Sequence, residues 1–146
     1  MPATAWALYN GAKKYIGDGT FDLNDPASNR YKTVLLKNTY TPSLNDDTWA
    51  AISSNEITAS FGYTAGGKGI TGNSYEQTAG VAKFDIDDPY WDASGGNIAD
   101  IRHAVIYDTS SGKLMCYSTL DSSDITVNDG TRHTIQIHAN GVFTNT

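Results

Sequence analysis

Apolar residues recur along this chain with two different periods, and the change from one to the other divides it. From Ala5 to Ile16 the period is helical: Ala5, Leu8, Tyr9, Ala12, Tyr15 and Ile16 gather on one face, and Asn10, Lys13 and Lys14 fall opposite. Thr4 is placed to cap the first free amides. Lys13 and Lys14 suit the negative end of the helix dipole, and Gly17 can stop the helix in a left-handed conformation. The pattern predicts one amphipathic helix over about 5–16. Trp6, at the edge of the stripe, either packs on the domain or anchors a neighbouring subunit. With Tyr9 it is a candidate interface residue.

After Gly19 the period becomes two. "YKTVLLKNTYTP" sets Val34 and Leu36 on one side with Leu35 between them, which predicts a mostly buried strand. "SLNDDTWAAIS" predicts one short helical turn through Trp49 and Ile52, with Asp46 or Asp47 as its cap. "ITASFGY" alternates Ile57, Ala59, Phe61 and Tyr63 inward, and "AGVAKFDID" does the same with Ala82, Phe84 and Ile86, so both read as half-buried antiparallel strands. Farther on, "TSSG" joins "IRHAVIYD" to "KLMCYSTL", and "TVNDG" precedes "TRHTIQIHANGVF", a run of strands with hairpin chemistry at the turns. The fold class this implies is mainly β: an antiparallel β-sandwich or partly closed barrel over about 20–146, preceded by the one helix, in a single domain of 146 residues.

Charge and composition narrow the partners. Sixteen acidic and ten basic side chains give a net charge of -6, and the basic residues are scattered. Nucleic acid needs a basic stripe to displace counterions, so it is not an expected partner. No apolar run approaches the roughly 18 residues of a membrane span, and "MPATAWALYNGAKKY" lacks the basic start and apolar core of a secretion signal. A soluble chain outside the usual export route, with no membrane partner, is the expectation. Cys116, the only cysteine, excludes an internal disulfide and reads as a small core residue.

"GYTAGGKG", residues 62–69, fits the first seven positions of a phosphate-binding loop, but Gly69 stands where the Mg²⁺-holding hydroxyl belongs. Such a loop also needs a following helix whose N-terminal amides face the phosphate, and "ITGNSYEQTAGVAKF" has no helical pattern. The segment reads as a glycine-rich strand connection with Lys68 solvated. His133 and His138 fall on opposite sides of "TRHTIQIH", so one regular strand cannot bring both to a zinc ion, and His103 lies on another strand. Asp85 and Asp87 share a face about 7 Å apart, a spacing near that of glycosidase pairs, but alternating Asp on a solvated strand is the plainer reading. Asp85, Asp87, Asp88 and Asp92 lack the spaced glycine and glutamate of an EF-hand loop, so calcium stays a minor option. No catalytic constellation, metal set or cofactor motif emerges, and the chain is not expected to be an enzyme.

Aromatics remain. Nine tyrosines and three tryptophans are a rich supply, and "DDPYWDA" sets Tyr90 beside Trp91 in a loop, where they cover a core edge, make a protein interface or stack on sugar rings. With Trp6, Tyr9, Trp49 and Lys68 they form the candidate interface set. Taken in order, "ALYNGAKKYIGDGTFDL", "YKTVLLKNTYTPSLNDDTWAAI", "GYTAGG" followed by "GITG", "VAKFDIDDPYWDASGG", "HAVIYD" and "HTIQIHANGVFT" resemble a family of small structural proteins of tailed bacteriophages and prophages. The resemblance spans nearly the whole chain. It implies a β-rich virion component made in the host bacterial cytoplasm, and a head decoration (cement) protein on the capsid surface. The implied partners are the major capsid protein and further copies of the chain in a dimer or trimer. A neck, tail or fibre component is the alternative within the virion, and a glycan-binding surface module using Tyr90 and Trp91 is the alternative of another kind.

Overall fold

The computed structural model describes residues 5–27 and 29–146. Its centre is three antiparallel strands: β2 (Tyr31–Leu36) against β8 (His103–Asp108), and β8 against β9 (Leu114–Thr119). All six residues of β8 and five of the six in β2 are buried. Strands read as near-continuous apolar runs when both faces are covered, and that is the reason here. Val34 pairs with Val105 and packs into one cluster with Tyr9, Phe84 and Met115. Leu35 pairs with Ala104, turns to the opposite face, and packs into a second cluster with Tyr63, Trp91 and Ile98.

The remaining elements cover these faces. The central sheet is completed by β1 (Ala7–Leu8) beside β9 and by β3 (Lys68–Gly69) beside β2. A three-stranded sheet of β4 (Ser74–Thr78), β5 (Val81–Asp85) and β12 (Phe143–Asn145) sends Phe84 and Phe143 to the first cluster. Two ribbons serve the second cluster: β6 (Tyr90–Asp92) with β11 (Arg132–Thr134), and β7 (Ile98–Ile101) with β10 (Ile125–Val127). Every strand pair is antiparallel, and among the described residues the sheets do not close into a barrel. The expected mainly β class holds, with helices α1 (Asn10–Gly17) and α2 (Trp49–Ile52).

The N-terminal helix is shorter than its periodicity predicts. Ala7 and Leu8 pair with Tyr117 and Cys116 as β1, and Tyr9 N–H donates to Met115 O at 3.1 Å. A sheet edge that supplies ladder partners outweighs a modest helical preference. Thr4, the expected cap, lies outside the described residues. Gly17 stays helical, and Gly19 takes the positive φ expected of Gly17. At α2 neither Asp46 nor Asp47 caps the helix; Thr48 holds that position. Asp46 accepts from the Tyr40 hydroxyl, and Asp47 from Tyr15 and Lys113.

Two strand expectations are also corrected. No strand forms over 57–63: Ile57 and Tyr63 are buried, but the chain turns at Phe61, at φ 55, to offer its carbonyl to Ser94 N, and Phe61 and Ala59 face out. The Asn-Asp-Gly turn after β10 makes no hairpin, because β10 pairs with β7 and β11 with β6. By contrast "TSSG" closes the β8–β9 hairpin. There buried Asp108 accepts from Ser110 N and the Ser111 hydroxyl, and pairs with Arg30 Nε at 3.3 Å.

Burial gives the fold a pH signature. His103 is 7% exposed, with Nδ1 3.0 Å from Thr119 Oγ1; burial, then the neighbouring Arg102 charge, hold its pKa below the ordinary value. Burial does the same to His133. The unfolded chain binds these protons at about pH 6.5, the folded chain only at lower pH, so acidification favours unfolding. Thermal melts are expected to show a midpoint that falls between pH 7 and pH 5. Replacing both (His103→Gln, His133→Gln) should flatten that dependence. The ion-paired Asp18, Asp25, Asp47 and Asp92, whose pKa values are lowered, lose their contribution only below the ordinary carboxylate range.

Candidate interaction surface

Alternation along β6 separates two residues that are neighbours in sequence. Trp91 points into the second cluster and is 3% exposed, 6.4 Å from the Tyr63 ring, whereas Tyr90 and Asp92 point out. Across the ribbon Asp92 faces Arg132, and the guanidinium donates to both carboxylate oxygens through Nε at 2.6 Å and Nη2 at 2.9 Å. These bonds hold the Asp92 carboxyl below its usual range. The same guanidinium carbon lies 3.8 Å from the Tyr90 ring centre.

A second cation reaches Tyr90 from the other edge of β6. Ile135 N donates to Pro89 O and Ala93 N to Thr131 O, so residues 89, 91 and 93 turn their backbone toward β11 and Tyr90 turns its carbonyl away. Lys68 Nζ takes that carbonyl at 2.7 Å and sits 3.5 Å from the ring centre. Lys68 and Arg132 thus both pack on the Tyr90 ring. Lys68 is therefore not freely solvated, as the sequence had suggested. It links the glycine-rich loop to β6.

The loop's shape is fixed from below. Gly67 has φ 84, and a side chain there would meet Thr33 O at 2.3 Å; Gly62 has φ 107, and a side chain would meet Asp92 O at 2.1 Å. Only glycine fits both approaches. Glu56 Oε1 accepts from Gly66 N and from the Tyr63 hydroxyl, each at 2.7 Å. A loop amide that a phosphate would need is thus already bonded to a carboxylate of the same chain, and β3 and β4 follow where a phosphate loop has its helix.

The other candidate residues are dispersed. Tyr9 is fully buried: its hydroxyl donates to Tyr40 at 2.8 Å, Tyr40 donates to Asp46, and no surface remains for an interface. Trp49 stacks on Tyr107 with ring centres 5.0 Å apart. Trp6 is half-buried against both clusters and lines a groove of about 920 Å³ with Ile135, Ile137 and His133. Asp85 pairs with Lys83, Asp87 accepts from Thr71, and Asp88 accepts from Ile137 N, so each carboxylate is engaged locally. Among the described residues no group of three or more His, Cys, Asp or Glu could hold a metal ion, and no helix is long and apolar enough to cross a membrane. Burial pushes the Cys116 thiol pKa up.

Arg132 belongs to the surface although the sequence did not single it out, while Asp92 was weighed only as a calcium ligand and Phe61 only as an inward strand residue. Phe61 is 46% exposed beside the end of β6, its ring against Gly96. Of the two residues that the glycan reading would use, Trp91 is in the core and Tyr90 is exposed and packs against Lys68 and Arg132. Comparison with protein-family models, curated proteins and solved structures gives no match.

Two adjacent substitutions separate core from surface. Trp91→Ala is expected to cost about 3–5 kcal/mol, read as a large fall in the denaturation midpoint. Tyr90→Ala should leave that midpoint nearly unchanged.

Proposed function

We propose that this protein is a bacteriophage virion structural protein, a capsid decoration protein that binds the outer surface of the assembled shell and braces the joints between its subunits. The observation that carries this reading is the Tyr90 clamp. A 38% exposed tyrosine packs against both Lys68 and Arg132, and those residues come from three distant segments that converge on one ribbon. A large amphipathic side chain fixed before binding loses little entropy when a partner closes over it, and tyrosine and arginine are the residues that dominate such contacts. The ordered resemblance of the sequence segments to phage structural proteins supports the same reading. Several copies, as a symmetric dimer or trimer, would add avidity to contacts that are individually modest.

Localisation on virions tests it. Cryo-electron microscopy or immunogold labelling is expected to place many copies on the outside of the capsid, and shells reconstituted with Tyr90→Ala protein should retain fewer of them. Density confined to the neck or tail, or absence from particles, contradicts the decoration role.

A further inference from the structure

We infer that Lys68, Tyr90 and Arg132 dock an acidic segment of the partner protein, whose carboxylates bind at the rim of the Tyr90 ring. The inference rests on the reading of this chain as an assembly subunit and adds the chemistry of the surface it meets. The patch is rich in unused donors. Lys68 gives one N–H to the Tyr90 carbonyl and keeps two. Arg132 uses Nε and Nη2 on Asp92, and its Nη1 makes no bond among the described residues; neither does the Tyr90 hydroxyl. Asp92, the carboxylate paired with Arg132, is held through both of its oxygens.

The two cations beside the ring leave the Tyr90 hydroxyl next to positive charge, where an anion that accepts from it also meets Lys68 and Arg132. Phe61, exposed beside the same ribbon, offers apolar contact next to that polar group. The chain as a whole carries -6, which repels an acidic partner at long range. In 0.15 M salt such fields are screened beyond about 8 Å. Within the clamp two cations face one carboxylate, an excess of one positive charge, and its unused N–H and O–H donors fit carboxylates rather than ammonium or guanidinium groups.

The test is an NMR titration of the isolated full chain with a tetraglutamate peptide, with tetraglutamine as the neutral control. Saturable shifts are expected at the amides of Lys68, Tyr90 and Arg132, absent with tetraglutamine and weakened by added salt. The double variant Lys68→Gln, Arg132→Gln should keep a folded spectrum and bind at least about tenfold more weakly. Shifts located elsewhere, an equal response to tetraglutamine, or undiminished binding by the folded variant overturns the inference. Concentration-dependent broadening of the same amides without peptide overturns it too, by making a second copy of the chain the occupant. No virion enters this measurement. A chain that coats capsids but ignores tetraglutamate refutes only the acidic docking, and one that binds tetraglutamate but is missing from particles refutes only the decoration role.

Discussion

Everything in this molecule hangs on covering both faces of β2 and β8. Val34 and Val105 form one cross-strand pair and Leu35 and Ala104 the next, and the pleat sends the two pairs to opposite faces. Each face therefore needs its own apolar lid. The first is assembled from α1 and the β4–β5–β12 sheet, the second from the β6–β11 and β7–β10 ribbons. Neither ribbon is large enough to persist alone in water; each is held by what it buries. Ile98, Ile101, Val127, Trp91 and Ile135 are those anchors, all 4% exposed or less.

The exposed Tyr90 clamp follows from that requirement. Because Trp91 must point into the second cluster, period two forces Tyr90 and Asp92 outward, and the register with β11 brings Arg132 across from Asp92. Lys68 arrives because β3 pairs with the edge of β2, with Thr33 opposite Lys68. Gly67 lets the loop pass close over that strand, and Glu56 fastens it through Gly66. A core constraint thus places the Lys68 and Arg132 side chains around the Tyr90 ring.

This explains which parts were legible in the sequence. β2, the β8–β9 hairpin, the short α2 turn and the inward phase of Phe84 and Ile86 are set by local pattern and turn chemistry, and the structure reproduces them. What local pattern could not give is pairing between distant segments. β1 takes residues with helical periodicity because β9 has a free edge. The Asn-Asp-Gly turn joins strands whose partners lie elsewhere, and Phe61 leaves the expected inward phase to bond Ser94. The surface was half legible: Tyr90 and Lys68 stood out as residues, but nothing linear links them to each other or to Arg132. Tyr9 and Trp91 stood out equally, and they are core. The resemblance to phage structural proteins lies in the order of sequence segments, and the fold neither adds to nor subtracts from it.

Native-state hydrogen exchange measures the central claim most directly, because it ranks the opening free energies of individual amides. The doubly covered strands predict that amides of β2, β8 and β9 exchange most slowly and only through global unfolding, with the β6–β11 ribbon opening at lower cost. Fast local exchange in β2 or β8, or slowest exchange in an outer ribbon, contradicts the account.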